Sequence, residues 1–182
     1  MKKQTRFLNL LAFTLIISAP SALCKVSPEA AIQALKDGNA RYITGKSSHP
    51  RIDPERRQAT ALEGQTPIAA ILGCADSRVP PEIVFDQGFA DLFVVRVAGN
   101  VCAMPELASI EYAVAVLKVP SIVVLGHTKC GAVDAAIKNG PLPGSLPALI
   151  KMIRPAVEAS ENDKGPKRNM LAQATELNEN RH

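Results

Sequence analysis

The chain has 182 residues, 47% of them apolar and 21% charged, which suits one compact domain with a buried core and excludes a chain disordered throughout. Its formal net charge is +4, but Lys2, Lys3 and Arg6 supply three of those charges in a stretch without Asp or Glu. The other Lys and Arg residues are scattered among only five Phe and two Tyr, so the basic stripe with interleaved aromatics of a nucleic-acid binder is absent.

Residues 1–24 run from a basic start, MKKQTR, through an apolar stretch from Phe7 to Ile17 to the small-residue segment SAPSAL. That is the layout of a secretory signal peptide. The apolar stretch is 11 residues long and interrupted by Asn9 and Thr14, too short to cross roughly 30 Å of hydrocarbon. The expectation is a secreted, periplasmic protein with no stable membrane insertion after cleavage, its domain running over 25–182. Cleavage after Ser21 and cleavage after Cys24 both place small residues correctly. The latter leaves Cys74, Cys102 and Cys130, an odd number in an oxidising compartment, so something other than bridging employs two of them.

Helical spacing of Ala31, Leu35 and Tyr42 behind Pro28 predicts a helix over 28–44, which Gly38 weakens. A polar loop, 45–52, precedes a short helix over 54–63. Three apolar runs follow: IAAILG (68–73), LFVVRV (92–97) and SIVVLG (121–126). They read as buried parallel strands. Between the last two, Leu107, Ile110, Val114 and Leu117 mark a crossover helix over 104–117, giving a βαβ unit. Helices near 132–138 and over about 146–159, separated by a Pro/Gly turn, complete an α/β fold: a mostly parallel sheet flanked by helices.

The first and third strands lead into GCADSR (73–78) and GHTKCG (126–131). Cys74, His127 and Cys130 therefore sit at the carboxyl ends of strands, where open α/β sheets bind ligands. Two thiolates and one imidazole suit Zn²⁺, and His-x-x-Cys lets one turn deliver two ligands. Three protein ligands leave one position open, the mark of a catalytic site. Asp76 and Arg78 lie two and four residues past Cys74, close enough for a tight turn to place an Arg-held carboxylate beside the metal. That carboxylate would either accept a hydrogen bond there or swing in as a fourth ligand. A disulfide between Cys74 and Cys130 is the competing use of the thiols.

The segments GNARY, CADSRVPPEIVFD, DLFVVRVAGN and SIEYAVAVLKVPSIVVLGHTKCGA resemble the β-class carbonic anhydrases, over about residues 28–178. The pattern Cys-x-Asp-x-Arg, then His-x-x-Cys-Gly with 53 residues from Cys74 to His127, is specific to that family. The resemblance implies zinc on Cys74, His127 and Cys130, an Asp76–Arg78 dyad, and interconversion of CO2 and bicarbonate through a zinc-bound hydroxide. It also implies that Gln65 and Gly131 contact substrate, that the AGN turn (98–100) lines the site, and that the protein is a homodimer or larger homo-oligomer. Cys102 has no place in that set and reads as a structural thiol.

Family members continue past a helix starting near Pro166 into a further helix and a C-terminal strand, whereas this sequence stops at His182. A zinc-binding but inactive member is therefore the alternative reading. Two others are weaker: a phosphate site at Gly45-Lys46-Ser47, where position 40 is Ala instead of the Gly a P-loop needs, and a thiol redox protein lacking any Cys-x-x-Cys.

Overall fold

The computed structural model describes residues 26–162; the expected signal peptide and the helix expected near Pro166 lie outside the described residues. Helix α1 spans Pro28–Ile43 and α2 spans Pro54–Glu63. Each opens with Pro just inside the first turn, where its missing N–H is no loss. Ser27 Oγ accepts from the Ala30 N–H at 3.2 Å, and Asp53 Oδ1 from the Arg56 N–H at 2.7 Å, satisfying donors that a helix start leaves free.

Three strands, β1 (Ala69–Cys74), β2 (Leu92–Val97) and β3 (Ile122–Leu125), form a parallel sheet in the order β2-β1-β3. Every residue of β1 is buried, while β2 and β3 are only partly covered. That explains the unbroken apolar run in the central strand: a parallel strand covered on both faces has no solvent side to alternate with. The register pairs Cys74 with Val97 and Leu72 with Val124, which aligns the ends of all three strands.

Between β1 and β2 lies a four-residue helix α3 (Pro81–Val84), and between β2 and β3 lies the crossover helix α4 (Met104–Ala115). Helices α5 (Gly131–Lys138) and α6 (Leu146–Asn162) follow β3 and pack on each other. Their contact surface, Val133, Ala136, Ile150, Ile153 and Val157, shares one buried cluster with Cys74, Val101 and Cys130. At about 1.5–3 kcal/mol per fully buried aliphatic side chain, this cluster holds the strand ends and the last two helices together. Cys74 and Cys130, two of the three expected metal ligands, are part of it.

The predicted helices and strands agree with these elements to within a few residues. Two short pieces were not foreseen: α3, and a 3₁₀ turn over Ala98–Asn100. The loop after α1, expected to be merely polar, is pinned by Asp86. Its buried carboxylate accepts from Arg41 Nε (2.6 Å), the Ser48 N–H (3.0 Å) and hydroxyl (3.1 Å), and the His49 N–H (2.9 Å). Gly45, with φ +68°, follows the C-terminus of α1, so Gly45-Lys46-Ser47 does not lead into a helix as a phosphate loop must. No helix among the described residues is long and apolar enough to cross a membrane.

Candidate metal centre

Cys74 is the last residue of β1, His127 lies two residues past β3, and Cys130 is the residue that caps α5. Their ligand atoms all lie within 4.8 Å of one another, although the residues come from segments more than fifty positions apart. Both thiols are buried and the His127 side chain is only 6% exposed.

The imidazole is oriented for coordination. His127 Nδ1 lies 3.1 Å from the Thr128 carbonyl, a contact that places the proton on Nδ1 and leaves Nε2 as the lone-pair nitrogen. Nε2 is buried without a hydrogen-bond partner, an arrangement costly for a polar atom unless something ligates it. The Cys130 thiol and backbone N–H groups, including Gly99 at 3.3 Å, favour the thiolate at Cys74 and pull it below the ordinary thiol range. The same contact, with burial, pushes the Cys130 thiol up. A divalent cation held there would take both sulfurs as thiolates and release their protons. The donor set of two sulfurs and one imidazole nitrogen fits zinc. No disulfide joins cysteines among the described residues.

Asp76 and Arg78 form the expected pair. Arg78 Nε donates to Asp76 Oδ1 at 2.9 Å and Nη2 to Oδ2 at 2.8 Å, and the Arg78 N–H adds a third bond to Oδ1 at 2.9 Å. These bonds hold the carboxyl well below the usual carboxylate range. Asp76 Oδ2 stands 3.9 Å from His127 Nε2, beside the ligand cluster and outside direct hydrogen-bond range. Arg78 Nη2 also donates to the Lys129 carbonyl at 3.0 Å, tying the turn after β1 to the turn that carries Cys130.

Gly131 follows Cys130 directly, is exposed, and has open space where a side chain would begin. Gly99 and Asn100 of the AGN turn are buried, and Gly99 contacts the Cys74 sulfur. Gln65 is separate from all of these: it is exposed and precedes the amino end of β1, whereas Cys74 ends that strand. The five steps of about 3.3 Å from Ala69 to Cys74 make β1 roughly 16 Å long, so Gln65 lies toward the end of the strand opposite the cluster. Cys102 stays outside the cluster as well.

One participant was missed from the sequence. Arg96, in the otherwise apolar β2, donates from Nε to the Cys74 carbonyl at 2.8 Å and from Nη2 to the Asp76 carbonyl at 2.5 Å. A cation inside LFVVRV was the available signal.

The family model described as carbonic anhydrase matches residues 69–181. Among characterised proteins, carbonic anhydrase 2 of Mycobacterium tuberculosis is 50% identical over 141 residues, spanning 75% of this chain and 68% of its own length. The carbonic anhydrase of Mycolicibacterium smegmatis is 51% identical over 135 residues, spanning 72% of this chain and 65% of its own. In three dimensions the chain resembles a β-carbonic anhydrase of Sordaria macrospora described as tetrameric, with a TM-score of 0.60 at 28% identity over 81% of this chain and 75% of that one.

Proposed function

Because this chain belongs to the β-class carbonic anhydrase family, we propose that it hydrates CO2 to bicarbonate and a proton, reversibly, at a zinc site made by Cys74, His127 and Cys130. The observation that carries this is the convergence of the three ligand atoms within 4.8 Å, with His127 Nε2 buried and unpartnered among them.

Bound zinc would supply the Lewis acidity that makes water a nucleophile near neutral pH. The residues of the chain do the rest. Asp76 Oδ2, kept ionised by Arg78, accepts a hydrogen bond from water at the cluster and so orients it. The bidentate grip of Arg78 also restrains Asp76 from turning in as a fourth ligand that would close the site. Gly131, exposed beside Cys130, leaves room for substrate on the open side. We assign no substrate contact within the same chain to Gln65.

The same reading makes the protein a homodimer or larger homo-oligomer, supported by the relative described as tetrameric. It also makes it a secreted, periplasmic protein, supported by the layout of residues 1–24. The test is to measure bound zinc and the rate of CO2 hydration on one sample, over pH 6.5–9, for the wild type and Cys74→Ser. Zinc with hydration that Cys74→Ser abolishes supports the proposal. Zinc without hydration favours the alternative, an inactive zinc-binding member of the family. A hydration rate that Cys74→Ser leaves unchanged refutes the site.

A further inference from the structure

We propose that Arg96 is a positioning residue of the metal centre: its guanidinium fixes the turn that carries both Cys74 and Asp76, so that ligand and carboxylate arrive in one geometry. The inference rests on the proposed zinc site and adds to it a residue outside the ligand set and outside the Asp76–Arg78 pair.

The turn begins where the sheet stops. The last backbone bond from β1 to β2 runs from the Ala75 N–H to the Val97 carbonyl at 3.1 Å. Past that point the chain turns away to Asp76, and the next support from β2 comes from a side chain. Arg96 reaches across with Nε on the Cys74 carbonyl and Nη2 on the Asp76 carbonyl, gripping the peptide units on either side of the Ala75–Asp76 peptide. Both distances are short, as expected when the donor is charged.

The two donors lie on one edge of a planar group, so their separation is fixed, and with it the separation and direction of the two carbonyls. An ammonium cannot impose that, because its donors radiate from one flexible point. Arg96 itself is exposed, in a strand whose other residues are apolar and at least partly buried. Packing the sheet does not require a cation there. What the position offers is reach to the turn: Arg96 is paired with Gly73, one residue before the ligand.

The consequence is a division of labour between two arginines. Arg78 grips the Asp76 carboxylate and ties it to the Lys129 carbonyl, next to Cys130. Arg96 grips the backbone beneath the same residue. Without Arg96, the Cys74 thiolate and the Asp76 carboxylate would sample several positions, and the entropy of ordering them would fall on metal binding. Partners of this outer kind are worth about 10- to 100-fold in metal affinity.

The experiment compares full-chain wild type, Arg96→Lys and Arg96→Gln. Zinc affinity is measured by competition with a chromophoric chelator, and cobalt(II) is substituted for zinc to record the thiolate-to-metal and d–d absorption bands. Thermal melting of the metal-free proteins runs alongside. The expected result is metal-free melting close to wild type, zinc affinity lowered about 10- to 100-fold in both variants, and altered cobalt bands showing a distorted site. Zinc affinity within threefold of wild type with an unchanged cobalt spectrum would overturn the inference. Failure of both variants to fold would overturn it too, by making Arg96 a residue of general stability. A wild type that binds no zinc defeats the proposed function itself, which the wild-type arm reports separately.

Discussion

The backbone amide of Gly99 donates to the sulfur of Cys74 at 3.3 Å. Gly99 belongs to the 3₁₀ turn after β2 and holds φ at +72°, so the turn is folded back over the end of β1. A Cβ at Gly99 would lie 2.5 Å from Ile153 Cδ1 and 3.1 Å from Ala132 Cβ.

Gly99→Ala should therefore weaken both fold and site. The left-handed backbone alone costs an L-residue about 1–2 kcal/mol, and Ile153 must move to admit the methyl. Denaturant unfolding should show at least that loss, and zinc affinity should fall with it, because the amide that steadies the Cys74 thiolate shifts. Wild-type values for both would mean that the turn relaxes at no cost.

Gly131→Ala should separate substrate access from metal binding. The position has no neighbour within 4 Å of a new Cβ and no left-handed φ, and it opens α5. Stability should stay level or rise by up to about 1 kcal/mol, and zinc content should be unchanged. CO2 hydration should slow, since the methyl fills the open side beside Cys130. An unchanged rate would remove Gly131 from the substrate's surroundings.

Asp86 should set part of the acid limit of the fold. Burial pushes its carboxyl up, but the Ser48 N–H, the Arg41 guanidinium, the His49 N–H and the Ser48 hydroxyl together carry it below the usual carboxylate range. A folded-state value below the unfolded one, about 3.9 for Asp, means the group contributes its full stability above that unfolded value. The contribution is lost as pH falls from about 5 downward toward the folded value. Melting temperatures of wild type should drop over that window. Asp86→Asn should be less stable near pH 7 and show a shallower acid decline; parallel curves for the two proteins would sink the assignment.

Gly38→Ala offers the sharpest contrast between local and tertiary expectation. In an isolated helix the change favours folding by about 1 kcal/mol. Here the new Cβ would stand 1.7 Å from the Phe85 carbonyl oxygen, so α1 must back away from the end of α3. The bonds of Asn39 to the Val84 carbonyl (3.1 Å) and of Arg41 to Asp86 would stretch with it. A net destabilisation in urea titration is expected, and a more stable variant would show that α1 docks differently.

Gly38 and Arg96 also mark the limit of what the sequence alone determined. The apolar runs, their β-branched composition and the 3.6-residue spacing between the last two were sufficient for three strands, a crossover helix and the flanking helices, because these patterns arise from each segment's own burial. The spacing Cys-x-Asp-x-Arg and His-x-x-Cys was sufficient for the ligand cluster and the dyad, since each motif acts within a single turn and the sheet aligns the turns. Only the tertiary structure decided the rest. It put Gln65 at the far end of β1, made Gly38 a point of backbone contact, turned Asp86 into the anchor of an N-terminal loop, and brought Arg96 onto the carbonyls of Cys74 and Asp76. Each of these depends on a strand's direction or on a contact between separate segments of the chain, and such contacts impose no period on the residues between them.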